Sequence, residues 1–202
     1  ASALGVHNIL CLSGDDPKNG DQPETIAVKD IDSLTLIATA NMMRNERKFP
    51  SGRLIEPPPK LFIGSAEVPT NGKINPEKIL KKIKKGVNFF QTQYVFDEKI
   101  LKEYMKVLED VGILEKTFFI IGLGPFASAK NAKWMNDNLF GVNVPNKILK
   151  RLEQSKDQKN ESKKICLELI HYFKEINGVK GVHLMGHNKE QVISEIIQES
   201  RI

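Results

Sequence analysis

Five short apolar stretches, residues 7–15, 60–68, 88–96, 117–125 and 181–186, each run into small or polar residues at their C-terminal ends. Strands of a parallel sheet, buried on both faces, read as apolar runs of this kind, and their carboxyl ends are where α/β proteins gather ligand groups. Here those ends supply Gly14-Asp15-Asp16-Pro17, Gly64-Ser65-Ala66-Glu67, Gln91-Thr92-Gln93, Gly122-Leu123-Gly124-Pro125 and Gly181-Val182-His183. Together they have the character of a barrel rim rather than of one local motif.

Between the apolar runs the period changes from two to that of a helix, which predicts alternating strands and helices and hence a parallel α/β architecture. Strands are expected at 7–13, 61–63, 88–93, 118–121 and 182–185. Helices are expected at 32–47, from 75 to a stop at Gly86, at 97–112, 129–139, 146–153, 163–176 and 189–199. Asp32 or Ser33 suits the first helix as a cap, and Asn75-Pro76 gives the second an N-cap with proline at the first helical position. The stretch 49–59 holds four prolines and is read as irregular, 154–162 is read as a polar connection, and Pro69-Thr70-Asn71-Gly72 is read as a loop. No internal repeat, low-complexity tract or linker interrupts the 202 residues, which are enough for one domain.

Composition narrows the classes. With 40% hydrophobic and 27% charged residues the chain is ordinary for a globular protein, and no apolar run reaches the length of a membrane span. Its first residues do not resemble a secretory signal. Cys11 and Cys166 read as buried thiols in a reducing, cytoplasmic compartment, and no Cys/His spacing suggests a metal. The net charge of +5 raises the question of nucleic acid. The lysines, however, concentrate in 78–85 and 147–156, where helical spacing places Ile79, Leu80 and Ile83 inward and the lysines outward. No aromatic residue is interleaved with them to stack on bases. Solvated helix faces are therefore the simpler reading, and an anionic small molecule or an acidic partner protein is compatible with them.

Several segments resemble one family. Phe90-Gln91-Thr92-Gln93-Tyr94-Val95-Phe96-Asp97, preceded by Lys82 and Gly86, resembles the sixth-strand motif of the methylenetetrahydrofolate reductases. Leu12-Ser13-Gly14-Asp15-Asp16-Pro17 is similar to their fourth-strand Gly-Asp-x-Pro motif, Ile121-Gly122-Leu123-Gly124-Pro125 to the segment after strand seven, and Gly181-Val182-His183 with Asn188 to strand eight and its loop. The motifs occur in family order over nearly the whole chain, and residues 21–34 are closer to the branch of acetogenic bacteria and some archaea. The resemblance implies part of a TIM (β/α)8 barrel, strands four to eight, as a single incomplete domain over 1–202. It also implies a flavoprotein that reduces the methylene group of a tetrahydrofolate-type carrier to methyl.

Residue by residue, the resemblance implies that Asp15 binds the pterin ring and stabilises the cationic iminium form of the substrate, an electrostatic role suited to a carboxylate in a dry pocket. Read alone, Asp15 is more readily a strand-end turn residue before Pro17 than a binding residue. Gln93 would contact the substrate through its amide, with Gln91 on the same side of the strand. Gly64, Ser65 and Ala66 would line the edge of the flavin ring. Asn75, where the family usually has Asp, and Lys82 would hold its ribityl and phosphate groups. Lys82 read alone, in a lysine-rich helix, is solvent-exposed. Met135 matches an apolar gate position, with neighbouring Trp134 as a substitute, and either also suits a core. His183 reads as structural rather than catalytic.

The match starts at the family's fourth strand. The glutamate that serves as acid in the family has no counterpart here, and five strands leave two open parallel edges. The expectation is a C-terminal part of a longer protein, acting as a homo-oligomer or in a heteromeric complex. Ser13 stands in place of an arginine and Ile26 in place of a flavin-stacking tyrosine, so FAD and FMN are both open. NAD(P)H, ferredoxin through a partner subunit and a deazaflavin are all open as electron donor. A non-catalytic barrel subunit serving as an interaction platform is the alternative. Another barrel enzyme holding a phosphate near the last two strands is disfavoured by the lack of a glycine-rich loop after Gly181.

Overall fold

The second strand runs on past its expected end at Ile63 as far as Glu67. The computed structural model describes residues 1–70 and 74–201, so Asn71 and Gly72 of the expected loop lie outside the described residues. The five strands are β1 (Asn8–Cys11), β2 (Phe62–Glu67), β3 (Phe89–Tyr94), β4 (Phe118–Leu123) and β5 (Val179–Leu184). The seven α-helices among the described residues are α1 (Ser33–Asn45), α2 (Pro76–Lys84), α3 (Glu98–Asp110), α4 (Ala129–Asn138), α5 (Asn146–Gln154), α6 (Gln158–Lys174) and α7 (Glu190–Ser200). Five parallel strands flanked by helices are an α/β arrangement consistent with part of a (β/α)8 barrel. The chain divides into two compact units, Ala1–Ala66 with Glu77–Phe89, and Glu67–Pro76 with Phe90–Ile202.

In the first unit β1 and β2 pair in parallel, with Leu10 opposite Gly64 and Cys11 opposite Ser65. Cys11, Ile63 and Ser65 are buried on one face, and Ile37, Ala40 and Ile79 contribute the buried apolar residues of α1 and α2. Leu10 and Phe62, on the other face, are 38% and 39% exposed. Asp32 caps α1 by accepting the Thr35 N–H at 2.7 Å. At the amino ends of the strands Arg44 donates to Asn88 Oδ1 at 2.7 Å, to Asn41 Oδ1 at 2.7 Å and to the Leu61 carbonyl at 3.1 Å. Asn88 Oδ1 also accepts the Ile63 N–H at 2.9 Å, and the Asn88 N–H donates to the Ile63 carbonyl at 2.7 Å. The Asn88 side chain thus extends the ladder and anchors α1.

In the second unit β3, β4 and β5 follow in chain order. Phe90 stacks on Phe119 with centroids 5.1 Å apart, and Tyr104 of α3 meets Phe119 edge-on at 6.1 Å. Around them Leu101, Met105, Leu108, Ile113, Ile165, Leu169 and Phe173 are almost wholly buried. Each such side chain contributes about 1.5–3 kcal/mol of transfer free energy.

Two elements differ from the sequence reading. Helix α6 begins at Gln158, five residues earlier than its apolar pattern indicates. Asp157 caps it by accepting the Asn160 N–H at 3.1 Å, and Gln158 Oε1 accepts the Ala129 N–H at 2.8 Å. A capped first turn needs no apolar residue, so a polar run hides it. Strand β5 begins at Val179 because the register shifts between Phe119 and Ile120, pairing them with Val179 and Gly181. The unpaired Lys180 is exposed and breaks the apolar run.

Candidate functional site

The carboxyl end of β1 in the first unit leads into the loop that carries Asp15. Asp16 accepts the Lys18 N–H at 3.1 Å and so caps a short 3-10 turn at Pro17–Asn19. That leaves Asp15 exposed, with no hydrogen bond or ion pair to the described residues. Asp15 lines a cleft of about 390 Å³ with Ser13, Ile26, Val28 and Ile31. Ser13 and Ile26, two of the positions that depart from the pattern of the family the chain resembles, are on its wall. Asp16, Asp32 and Lys29 line it as well, and an unpaired carboxylate such as Asp15 in that mixed wall suits a ligand that carries or develops positive charge.

At the end of β2 the three small residues divide between faces. Gly64 and Ala66 alternate with Ser65, whose side chain is 1% exposed on the covered face, so Ser65 offers the open face its backbone only. The space over Gly64 is taken by Phe89: a Cβ there would lie 2.4 Å from the end of its ring, which itself stacks on Phe62 at 5.4 Å. Ala66 is the position nearest the strand end.

Lys82 departs from its reading as a solvent-exposed lysine. It is only 6% exposed, whereas Lys78, Lys81, Lys84 and Lys85 lie in solvent. Three residues after Ile79, position 82 falls on the inward stripe of α2. Its aliphatic stem runs along the core, and its Nζ donates to the Ala66 carbonyl at 2.6 Å. Asn75 is exposed immediately before α2. A buried ammonium beside a residue without a bulky side chain fits the phosphate of a planar cofactor. The filled space over Gly64 leaves that position to packing.

In the second unit Gln91 and Gln93 share one face of β3, both half-buried, and Thr92 is buried on the other. Gln93 Oε1 accepts the Tyr94 N–H at 3.0 Å, and its NH2 has no partner among the described residues. Thr92, which sequence reasoning did not single out, fixes this strand end. Its hydroxyl donates to the Gln93 carbonyl and accepts the Gly122 N–H, both at 2.8 Å. A threonine between two strand-end glutamines was the available signal.

Gly124 allows the chain after β4 to approach β5, since a Cβ on it would lie within 1.9 Å of the Met185 carbonyl oxygen. His183 lies opposite Gly122 in the register, and burial holds its imidazole below the ordinary value, favouring the neutral form. Met135 is 8% exposed in the core while Trp134 is 54% exposed. The Tyr104 hydroxyl is buried without a hydrogen-bond partner among the described residues, and burial, then the Glu67 carboxylate, pushes its pKa up. Near the ends of β4 and β5 a cleft of about 800 Å³ is lined by Lys159, Lys163 and Lys189 among others. Burial, then the like charge of Lys159, pulls the Lys189 pKa down.

Cys11 and Cys166 are free and buried, and burial pushes the Cys166 thiol up to about 12. Among the described residues no group of three His, Cys, Asp or Glu is placed to hold a metal ion, and no helix is long and apolar enough to cross a membrane.

Residues 1–201 match the family model described as methylenetetrahydrofolate reductase. The chain is 24% identical over 204 residues to a Caenorhabditis elegans protein named probable methylenetetrahydrofolate reductase (NADPH), covering 98% of this chain and 28% of that protein. A solved structure of an uncharacterized protein from Clostridium thermocellum that binds two copies of 5-methyl-5,6,7,8-tetrahydrofolic acid is 22% identical, with a TM-score of 0.48, over 72% of this chain and 54% of that one. The chain therefore spans little more than a quarter of the length of the curated relative.

Proposed function

The chain belongs to the methylenetetrahydrofolate reductase family, and on that premise we propose that it serves the flavin-dependent reduction of a methylene-tetrahydrofolate-type carrier to its methyl form. With this goes the reading of residues 1–202 as strands four to eight of a (β/α)8 barrel. The observation that carries the cofactor assignment is the burial of Lys82, whose ammonium reaches the Ala66 carbonyl at 2.6 Å in a helix whose other lysines are in solvent.

When bound, the flavin supplies a hydride to the carbon of the one-carbon unit. Lys82 neutralises the cofactor's phosphate, and Ala66 gives its ring access to the backbone. Asp15, unpaired on the wall of its cleft, holds the pterin and stabilises the cationic iminium through its negative charge. Within the second unit Gln93, with its NH2 available, is the amide we assign to substrate contact, able both to donate and to accept. Gln91 lies on the same strand face and lines the same contact.

The test is a visible spectrum of the complete protein, titrated anoxically with methylenetetrahydrofolate. The expected result is a yellow protein whose reduced form is reoxidised by the carrier. Asp15→Asn should slow that reoxidation far more than it weakens flavin retention. Absence of both a flavin band and carrier reduction would reject the proposal in favour of a non-catalytic barrel subunit.

A further inference from the structure

Gln91 and Gln93 project from the same face of β3 and are both half-buried, yet the fold treats their amides differently. The Gln91 amide has no hydrogen-bond partner among the described residues. Gln93 is held at two points. Its Oε1 accepts the Tyr94 N–H at 3.0 Å, and because a backbone N–H can only donate, this fixes which end of the amide is oxygen. The NH2 keeps both hydrogens unspent. The second hold is on the main chain, where the Gln93 carbonyl accepts the Thr92 hydroxyl at 2.8 Å.

That second hold is part of a relay between strands. The Gly122 N–H donates to Thr92 Oγ1 at 2.8 Å, and the same hydroxyl donates onward to the Gln93 carbonyl. The Val95 N–H then donates to the Gly122 carbonyl at 2.8 Å. Gly122 also lies close against this segment: a Cβ on it would stand 2.4 Å from the Thr92 carbonyl oxygen and 2.6 Å from that of Gln93. The backbone of Gln93 is thereby tied to β4. Thr92 itself is 4% exposed and points to the opposite face from the two glutamines. Its side chain does not reach the face they share, so its effect on a ligand there passes through Gln93.

We propose that Thr92 is the positioning residue for the Gln93 amide: by tying the Gln93 carbonyl to β4 it orders that side chain before the carrier arrives, and so makes Gln93 rather than Gln91 the residue that orients it. This rests on the assignment of Gln93 to substrate contact above. A glutamine left free must be ordered on binding, and ordering one such side chain in advance changes affinity by about 3- to 10-fold.

The experiment measures binding of 5-methyltetrahydrofolate to the complete protein by calorimetry, in a double-mutant cycle of Thr92→Val with Gln93→Ala, each variant checked for folding by circular dichroism. Thr92→Val should weaken binding about 3- to 10-fold with Gln93 in place, and by less than about twofold in the Gln93→Ala background. Thr92→Ser should restore the wild-type affinity. A measurement on the unliganded wild type needs no variant to fold: the side-chain amide of Gln93 should relax with an order parameter of about 0.85, and that of Gln91 below about 0.6. An equal loss in both backgrounds, no rescue by serine, or a Gln93 amide as mobile as that of Gln91 would each overturn the proposal. Gln93→Ala weakened but Thr92→Val unaffected would reject the positioning role and leave the substrate contact standing. Gln93→Ala binding as tightly as wild type, or a wild type that does not bind the carrier, would reject the substrate contact and the positioning role with it.

Discussion

The ammonium of Lys82 donates to the carbonyl oxygen of Ala66 at 2.6 Å, from the middle of the most lysine-rich stretch of the chain. Lys82→Met keeps the buried stem and removes the charge. Since a hydrogen bond from a charged group is worth about 1.5–3 kcal/mol, flavin affinity in the complete protein should fall at least 10-fold by fluorescence titration. Unchanged affinity would remove Lys82 from the cofactor site.

Thr92 is the buried link between β3 and β4. Thr92→Val preserves its shape but leaves the Gly122 N–H without its acceptor, which stands 2.8 Å away in the wild type. An unsatisfied buried donor costs about 1–3 kcal/mol. Urea unfolding should show that loss for valine, while Thr92→Ser should stay close to wild type. Equal behaviour of the two variants would mean that packing, not the hydroxyl, matters.

At Gly124 the neighbour that a side chain would strike is backbone, the Met185 carbonyl oxygen, and not a movable side-chain tip. Gly124→Ala must therefore displace β4 from β5. A loss of about 1–3 kcal/mol is expected for forced overpacking, and a thermal midpoint lowered by roughly 2–10 °C should report it. A midpoint within one degree of wild type would contradict this tight approach.

Hydrogen bonding to Arg151, foremost, holds the Glu168 carboxyl below its ordinary value. A folded-state value below the unfolded one contributes stability that is complete above the unfolded value, about 4.3, and is lost as pH falls through the folded one. The Glu168 side chain is 57% exposed, so solvent screening limits the pair to about 1 kcal/mol or less. Arg151→Met should accordingly be less stable than wild type at pH 7, with the difference shrinking below pH 4. A gap independent of pH would assign Arg151 a packing role.

Much of this was legible from the chain itself, because burial writes its period into the residues. The strand runs around Ile63, Phe90 and Ile121 were visible as apolar stretches, and the caps Asp32 and Asp97 as polar residues ahead of helical spacing. Hidden features depended on neighbours distant in sequence. Lys82 looks like any other lysine until Ala66 is placed beside it. The polar first turn of α6 looks like a connection until Gln158 meets Ala129. Small residues at 64–66 suggest room for a ring, but only the fold reveals that Phe89 fills the space over Gly64 and that Ser65 faces away. For Asp15 the chain offered both a turn and a binding role. The fold gives the turn's capping work to Asp16 and leaves Asp15 unengaged.

Asn88 also bears on how the molecule ages. Its amide oxygen accepts from both Arg44 and Ile63, and the guanidinium has no acidic counterpart among the described residues. Hydrolytic loss of the amide nitrogen would give an aspartate that keeps both acceptor contacts and supplies the missing counter-charge. Only the fraction that opens to the normal aspartate, and not to the backbone-lengthened isoaspartate, would keep those contacts and gain the counter-charge.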